Sequence, residues 1–318
     1  MTYQATLVVP YFGTLPNYFP LFLRSVAENP DFELLLATDD EETLSNCDIP
    51  GNVRVLPMRF AEIRERVEDV ISKDAKLVSA YKLVDYKPLY GLFFADELRG
   101  SLFWGHCDVD MLWGRISAYV SDEVLAANDK VLIHGHFSLY RNDPKINRLA
   151  LEQPDDPCGL SMAASTPLCC YFDEVGFPAM ARRHGLRVYE RTCFADITPV
   201  HYAMRLAPIC EKTNVSRQRF YWESGRIVRR APESGAEDEF MYIHLQKRPM
   251  FVGVSPADDC WEIRSDGFFP PDASRQGRVE MALGELRQRG GFEISRIARL
   301  SPERVRLSIQ VKTLRETL

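Results

Sequence analysis

The chain is organised around one apolar run that ends in an acidic pair, Leu102-Phe-Trp-Gly-His-Cys-Asp-Val-Asp-Met-Leu-Trp-Gly114. Large apolar and aromatic side chains at positions 102–104 predict a buried strand. If the chain stays extended, Asp108 and Asp110 lie on one side of the backbone, because alternate side chains of a strand point to opposite faces. Two carboxylates this close need a cation between them or a shared proton. The stretch therefore predicts a strand that ends at a site for a hard divalent cation.

The acidic pair has an alternative interpretation. An Asp-x-Asp triplet is a weak motif by itself, since acidic surface loops contain it by chance. Here, however, the flanking residues include Phe103, Trp104 and Trp113, whereas exposed loop carboxylates usually have polar neighbours. The alternative to a metal site is a buried acidic pair that is satisfied by its own hydrogen bonds.

The residues before the central stretch alternate between strand and helix patterns. Strands are predicted at 7–10, 32–38 and 53–57, and helices at 18–27, 60–72 and 76–100. This order predicts an α/β fold with a mostly parallel central sheet flanked by helices. Ligands of such sheets bind beyond the carboxyl ends of the strands. Tyr11, Asp39 and the acidic pair all follow predicted strands, so they are expected to share one crevice.

The second long helical segment contains Tyr81-Lys-Leu-Val-Asp-Tyr-Lys-Pro-Leu-Tyr-Gly91. Pro88 is expected to break or restart the helix just after Lys87. Asp85 and Lys87 then lie near a helix end. They either contact a phosphate or sugar there or form a surface salt bridge.

Residues after the central stretch supply further candidates. A strand is predicted at 131–140, with His134 and His136 on one side as ligands or as core histidines. Loops are predicted at 151–170. Asp173 and Glu174 then lie between aromatic residues and a glycine, where apolar surroundings raise a carboxyl pKa and suit a general base. The alternative for this acidic pair is a helix N-cap.

A second buried run, at 240–249, is expected to form a strand that ends in His244 and Lys247, after a polar loop at 231–239. The imidazole can complete a metal shell, and the ammonium can neutralise phosphate charge. Near the C-terminus, a helix is predicted at 278–289. Residues 301–311 combine a helix start with strand-like alternation, and the pattern does not decide between them.

Composition narrows the class of protein. The 318 residues are 46% hydrophobic and 26% charged, as in folded soluble proteins. A net charge of −6 gives no overall attraction to nucleic acid. No run approaches the roughly 20 apolar residues that span a bilayer, and no signal peptide pattern is present. The eight cysteines lack zinc spacing and are expected to be reduced. A cytoplasmic protein is expected, with at most peripheral contact at the inner face of the plasma membrane.

The middle of the chain is rich in arginine. These residues either face an anionic acceptor or a membrane surface, or form a solvated face. They are Arg182, Arg183, Arg187, Arg217, Arg219, Arg226, Arg229 and Arg230.

Four ordered blocks together give a resemblance to a known class. They are Val9-Pro-Tyr-Phe-Gly13, Lys82-Leu-Val-Asp-Tyr-Lys-Pro-Leu-Tyr-Gly91, Phe103-Trp-Gly-His-Cys-Asp-Val-Asp110 and Tyr242-Ile-His-Leu-Gln-Lys-Arg248. The sequence resembles the GT-A class of nucleotide-sugar glycosyltransferases, and within it a poorly characterised bacterial family associated with surface-polysaccharide (capsule or O-antigen) biosynthesis. The resemblance covers about residues 5–250. It implies a catalytic domain at 1–255, with a nucleotide-binding half at 1–115 and an acceptor half at 116–255, followed by a C-terminal extension at 256–318.

The resemblance also implies a donor site. Asp108 and Asp110 would hold Mn²⁺ or Mg²⁺ against the diphosphate of a nucleoside-diphosphate sugar, with His244 as a further ligand. Lys247 would contact the phosphate, although only two residues separate it from the histidine, whereas related enzymes space the two further apart. An imidazole ligand favours Mn²⁺ over Mg²⁺.

The remaining implied roles concern the nucleoside and the acceptor. The first strand loop, with Pro10, Tyr11 and Phe12, and Asp39 would meet the nucleoside. A glycan or lipid-linked glycan would accept the sugar, by inversion or retention. If the enzyme inverts, Asp173 or Glu174 is the candidate base, and Asp196 of Phe194-Ala-Asp-Ile197 is the reserve.

Two other functions compete with the transferase. One is a phosphohydrolase that uses the Asp-x-Asp pair, although such pairs normally follow the first strand. The other is a catalytically silent carbohydrate- or partner-binding protein that keeps the fold.

Overall fold

The computed structural model describes residues 4–233, 235–274, 283–288, 290–291 and 302–316. In chain order, the strands of these residues are β1 (Ala5–Tyr11), β2 (Phe32–Thr38), β3 (Val53–Pro57), β4 (Phe103–Cys107), β5 (Met111–Trp113), β6 (Lys130–His134), β7 (Phe137–Arg141), β8 (Val188–Tyr189), β9 (Ala195–Asp196), β10 (Arg219–Glu223), β11 (Arg226–Ala231), β12 (Ala236–Phe240), β13 (Tyr242–His244), β14 (Phe251–Val252), β15 (Cys260–Arg264) and β16 (Gly267–Phe269).

The helices lie mainly in the first two thirds of the chain. They are α1 (Phe19–Ala27), α2 (Glu41–Ser45), α3 (Phe60–Val70), a 3₁₀ helix (Ala80–Leu89) that continues into α4 (Tyr90–Phe93), a short 3₁₀ turn (Ile116–Ala118), α5 (Asp122–Ala127), α6 (Pro144–Glu152), α7 (Leu160–Ser165), a π-helical turn (Phe172–Gly176), α8 (Phe177–Arg183) and a C-terminal helix (Pro302–Glu316). In the described part of the chain, no helix combines the length and apolarity needed to cross a bilayer.

The central sheet has seven strands in the order β3-β2-β1-β4-β7-β6-β8. Strands β3, β2, β1 and β4 are parallel, β7 is antiparallel to β4, and helices flank the sheet. Leu7 and Val9 of β1 pack into one apolar cluster and Val8 packs into another on the opposite face. A strand buried on both faces is typical of a parallel sheet in an α/β protein. The predicted fold class is therefore confirmed.

The N-terminal third follows the sequence pattern closely. The strands predicted at 32–38 and 53–57 have those bounds, and α1 places Pro20 in its first turn, where no intrahelical N–H is lost. The 3₁₀ helix differs from the prediction, because it runs through Pro88 to Leu89 instead of stopping after Lys87. The φ angle that proline imposes suits a 3₁₀ helix, so Pro88 does not interrupt it.

Four later predictions are corrected by the structure. The strand predicted at 131–140 is a hairpin of β6 and β7, with an irregular register between Val131 and His134. The loop predicted at 231–239 ends in β12, which pairs with β11. The predicted loop at 151–170 contains α7, whose Leu160 and Ala163 are buried. The strand predicted at 240–249 extends only through β13.

The remaining strands of the described residues form two smaller sheets. Strands β5, β13 and β9 form one, and the other has the order β12-β11-β10-β15-β16-β14. Strands β15 and β16 follow residue 255, yet β15 pairs with β10. The division into domains stays a prediction.

The C-terminal residues resolve one open alternative. Residues 302–316 form a helix, with Val311 buried against Cys158 and Val175, so the helix start outweighs the strand-like alternation. Of the helix predicted at 278–289, residues 283–288 are helical, and 278–282 and 289 lie outside the described residues.

Candidate metal centre

The acidic pair lies in a turn between two strands of different sheets. Strand β4 ends at Cys107 and β5 begins at Met111, so the expected extended geometry does not persist through residues 108–110. Strand β5 pairs with β13 such that Met111 lies opposite His244. Asp108, Asp110 and His244 consequently present ligand atoms that all lie within 4.8 Å of one another. The structure thus brings the three predicted ligands together by strand pairing.

Asp110 is almost completely buried and has two polar partners. One carboxylate oxygen lies 3.3 Å from His244 Nε2, and the other accepts a 2.6 Å hydrogen bond from the backbone N–H of Lys247. Burial alone would raise the pKa of Asp110, but His244 and Lys247 together outweigh burial and lower it to about 2. The carboxylate is therefore ionised at neutral pH.

His244 is held from both sides of its ring. Strand β9 runs beside β13 with Asp196 opposite His244, and the Nδ1 atom lies 2.9 Å from an Asp196 carboxylate oxygen. Burial would lower the pKa of His244, but the two carboxylates raise it to about 10. A carboxylate on one ring nitrogen is the usual support for an imidazole that binds a metal through the other. Two carboxylates and one imidazole are a donor set that suits a divalent metal ion.

The backbone after His244 adopts an uncommon conformation. Gln246 and Lys247 have φ angles of 55° and 58°, in the left-handed region. This conformation costs roughly 1–2 kcal/mol per non-glycine residue. It ends the strand early, directs the Lys247 N–H to Asp110, and allows the Gln246 side chain to donate a 2.6 Å hydrogen bond to Asp196. Strain of this kind is typical of functional sites.

Lys87 supplies a fixed positive charge next to the acidic pair. Its Nζ lies 2.7 Å from an Asp108 oxygen and 2.6 Å from the Gly135 carbonyl oxygen. Burial would lower the pKa of Lys87, but Asp108 and Asp173 raise it above its ordinary value. The salt bridge that Lys87 forms with Asp108 is largely buried, not at the surface as one alternative predicted. The other alternative, contact with a phosphate or sugar, stays a prediction.

Asp85 has a different environment from Lys87. Its carboxylate is fully buried, pairs with Lys82 at 2.6 Å, and accepts hydrogen bonds from the backbone N–H groups of Cys170 and Phe172. The predicted surface salt bridge is therefore wrong, because the pair is internal.

A cavity of about 590 Å³ opens beside the candidate metal centre. Its walls come from the end of β1 and the following loop, the 3₁₀ helix, the acidic turn and the segment after β13. Of the predicted residues, those that line it are Pro10, Tyr11, Phe12, Lys87, Asp108, Asp110 and Lys247. Asp39 is not part of the lining; it accepts a 2.9 Å hydrogen bond from the Gly13 N–H and so supports the loop after β1.

The candidate bases lie outside this lining. Asp173 is buried next to Gly135, where a Cβ on the glycine would lie 2.6 Å from its carboxylate. Burial, and then Glu174, raise the pKa of Asp173 well above its ordinary value. The two acids belong to a π-helical turn, and Asp196 lies behind His244. A role as general base stays a prediction for all three.

The two histidines of the β6–β7 hairpin are buried beside His244. His134 and His136 have stacked rings with centroids 5.3 Å apart, and the His136 ring centroid lies 4.6 Å from that of His244. His136 Nδ1 lies 3.0 Å from the Tyr242 hydroxyl. Burial, and then His244, hold the pKa of His136 well below its ordinary value, so it is neutral. His136 thus supports the rear of the site.

Sequence reasoning missed three residues of the site. They are Tyr18, Tyr81 and Arg248, which all line the cavity. The Tyr81 ring contacts the predicted Lys247, whose Nζ lies 4.1 Å from the ring centroid. Tyr81 directly precedes one of the four blocks and Arg248 ends another, so their positions carried a signal. Tyr18 had none beyond the apolar spacing of α1.

Together, fold and site define an α/β protein with a candidate divalent-metal centre near the carboxyl ends of its parallel strands. The chain belongs to a family of unknown function (DUF6625), whose family model matches residues 7–272. No curated protein matches the sequence. Among solved structures, it is similar to the apo-form of the glycosyltransferase GlyE of Streptococcus pneumoniae TIGR4, with 9% identity and a TM-score of 0.35. That alignment covers 60% of this chain and 46% of the other, and similarity at this level carries no argument about function.

Proposed function

We propose that the protein is a metal-dependent glycosyltransferase that moves a sugar from a nucleoside-diphosphate sugar to a glycan or lipid-linked glycan. The observation that carries the proposal is the convergence of Asp108, Asp110 and His244 at the mouth of a cavity lined by aromatic side chains and Lys87. We further propose Mn²⁺ or Mg²⁺ as the ion, a cytoplasmic location, and a role in bacterial surface-polysaccharide synthesis.

The donor would lie along the cavity. Tyr11 and Phe12 provide apolar surface for a base, and Asp108 and Asp110, which line the same cavity, would hold the ion with His244. A bound divalent ion would stabilise the negative charge that develops on the departing diphosphate.

The chain contributes the remaining charge and positioning. Lys87 is fixed by Asp108 and Gly135, so its ammonium is oriented before the donor arrives. Lys247 is exposed, and its side chain rests on Tyr81, from which it can reach a phosphate at the cavity mouth. Asp196 holds the His244 ring so that Nε2 faces Asp110.

Calorimetry of UDP, GDP, CDP and dTDP with and without Mn²⁺ tests the proposal. We expect one nucleotide to bind in a metal-dependent manner and Asp110→Asn to weaken that binding at least about tenfold, since the amide keeps the shape but not the charge. Glu190→Gln is the matched control, because Glu190 is an acid that pairs with Arg182 at the surface. Unchanged affinity in Asp110→Asn would contradict the proposal.

Turnover distinguishes a transferase from a silent binding protein. Purified enzyme with Mn²⁺ is expected to hydrolyse its sugar nucleotide slowly without acceptor, and Asp108→Ala is expected to abolish this reaction. Hydrolysis that persists in the variant would come from elsewhere and would count against this site.

A further inference from the structure

A second cavity, of about 780 Å³, lies on the six-stranded sheet. Residues of β10, β15 and β16 line it together with the segment before β10. Its lining contains four arginines and two acids, namely Arg205, Arg217, Arg219, Arg264, Glu262 and Asp266. A concave surface with this excess of guanidinium groups attracts anions.

The arginines of this cleft differ in their partners. Arg264 pairs with the buried Glu262 at 2.9 Å, and Arg217 pairs with Glu233 at 3.2 Å. In the described part of the chain, the side chains of Arg205 and Arg219 have neither a hydrogen bond nor an acidic partner. Burial lowers the pKa of Arg264 overall, although Asp266 and Tyr221 raise it, and the nearby charge of Arg219 adds to the lowering. Arg182, Arg187, Arg226, Arg229 and Arg230, by contrast, all form ion pairs. Two guanidinium groups therefore face the cleft with their donors available.

Hydrogen bonds brace the wall that carries these groups. Asn214 accepts a 2.7 Å hydrogen bond from the Leu206 N–H and donates one of 3.0 Å to its carbonyl oxygen. Gln218 donates a 2.6 Å hydrogen bond to the Met204 carbonyl oxygen. The segment that presents Arg205 and Arg219 is thus preorganised, which reduces the entropy lost on binding.

The segment that contains Arg205 also connects the cleft to the cavity of about 590 Å³ beside the candidate metal centre, called here the donor cavity because the proposed donor would lie in it. Arg248 lines the donor cavity and donates hydrogen bonds to the carbonyl oxygens of Thr198 and Tyr202, at 2.9 and 2.8 Å. Residues 203–205, immediately after Tyr202, line the cleft. The loop at 198–205 therefore contacts a residue of one cavity and lines the other.

We infer that the cleft binds an oxyanion, a carboxylate or phosphate carried by the acceptor, through Arg205 and Arg219. Guanidinium groups bind both oxyanions through paired, charge-assisted hydrogen bonds. The identification of the ligand as an acceptor rests on the proposed glycosyltransferase function, whereas oxyanion binding in the cleft does not. Arg205 and Arg219 would hold the acceptor while its hydroxyl approaches the donor across the loop at 198–205.

Calorimetry in EDTA, at low salt and without nucleotide, tests the inference apart from the metal centre. The probes are a glucuronate-containing tetrasaccharide for the carboxylate, mannose 6-phosphate for the phosphate, and maltotetraose as the neutral control. We expect at least one anionic probe to bind, the neutral sugar not to bind, and Arg205→Ala/Arg219→Ala to weaken binding about tenfold or more. The probe that binds identifies the oxyanion.

Matched variants make the outcome decisive. Arg99→Ala/Arg148→Ala removes the same charge from two exposed surface residues and is expected to bind like the wild type. Arg219→Lys keeps the charge and is therefore expected to bind the anionic probe more tightly than Arg205→Ala/Arg219→Ala does. The inference is overturned if neither anionic probe binds, or if both double variants weaken binding equally. Asp110→Asn should leave probe binding unchanged, so failure of the donor site and failure of the cleft are separate results.

Discussion

His244 illustrates how single residues determine this site. Its ring lies between Asp110 and Asp196, so one nitrogen is oriented by a carboxylate and the other faces the candidate ligands. From the sequence, Asp196 was predicted only as a reserve candidate for the general base. No residue near Asp196 in the chain indicated that its side chain would lie opposite His244. Only the pairing of β9 with β13 produces that contact.

Asp196→Asn is expected to weaken Mn²⁺ binding by about 10- to 100-fold, the usual effect of removing the partner that orients a ligating histidine. The amide keeps the size of the side chain, so the melting temperature should change little. Titration of Mn²⁺ followed by electron paramagnetic resonance measures the affinity, with Glu190→Gln as the control. Wild-type affinity in Asp196→Asn would show that His244 does not need this partner.

Asp85 is predicted to be a structural residue. Asp85→Ala leaves the buried Lys82 without its partner and two backbone N–H groups without an acceptor, so the free energy of unfolding should fall by about 3–5 kcal/mol. Urea denaturation measures this loss. Replacing Lys82 by Met in the same chain should restore part of it, because the uncompensated charge is then removed. A stable Asp85→Ala protein with lost nucleotide binding would instead favour the predicted ligand contact.

Asp129 provides a pH-dependent contribution to stability. Hydrogen bonds from Arg187 outweigh burial and lower the pKa of Asp129 to about 2, below its ordinary value of 3.8. Since the folded-state pKa is the lower one, the contribution is fully present above about pH 4 and is lost as the pH falls toward 2; its size is about 1–2 kcal/mol, because solvent partly screens the pair. Asp129→Asn should therefore lower the urea midpoint at pH 6 and have a smaller effect at pH 3. Equal effects at both pH values would contradict this assignment.

At the scale of elements, β4 depends on close backbone approach to its neighbour β7. A Cβ at Gly105 would lie 2.3 Å from the Ser138 carbonyl oxygen and 2.5 Å from the Leu139 side chain. Gly105→Ala should therefore destabilise the protein by about 1–3 kcal/mol or more, as overpacking does. Gly51→Ala is the matched control, because a Cβ at that position would have no atom within 4 Å. Differential scanning calorimetry compares the two, and equal melting temperatures would contradict the prediction.

The elements also show what the sequence could predict. The first three strands and α1 were predictable: β1 and β2 carry apolar runs set by burial on both faces of one sheet, while β3 and α1 are marked by local turn residues and apolar spacing. The elements at 131–140 and 231–240 were not, since hairpin pairing and not composition divides them. For the candidate site, the ligand types were predictable, but the contacts of Lys87 and Asp196 arise from residues far apart in the chain.

At the scale of the whole molecule, the central sheet and the three-stranded sheet meet at the acidic turn. Strand β4 of the central sheet leads into β5 of the three-stranded sheet, and β13 then brings His244 back to the same place. Arg248, just beyond β13, fixes the loop that borders the arginine cleft. The donor cavity and the cleft therefore depend on one connected set of strands and loops.

The tryptophans give this arrangement a built-in optical readout. All four are fully buried: Trp104 stacks on Tyr140 in the central sheet, while Trp222 and Trp261 stack face to face in the six-stranded sheet, with ring centroids 4.1 Å apart. Rigidly packed indoles give near-ultraviolet circular dichroism bands that depend on tertiary packing, whereas emission from all four reports burial throughout the protein. If the near-ultraviolet bands and the emission change at the same urea concentration, the sheets unfold as one cooperative unit.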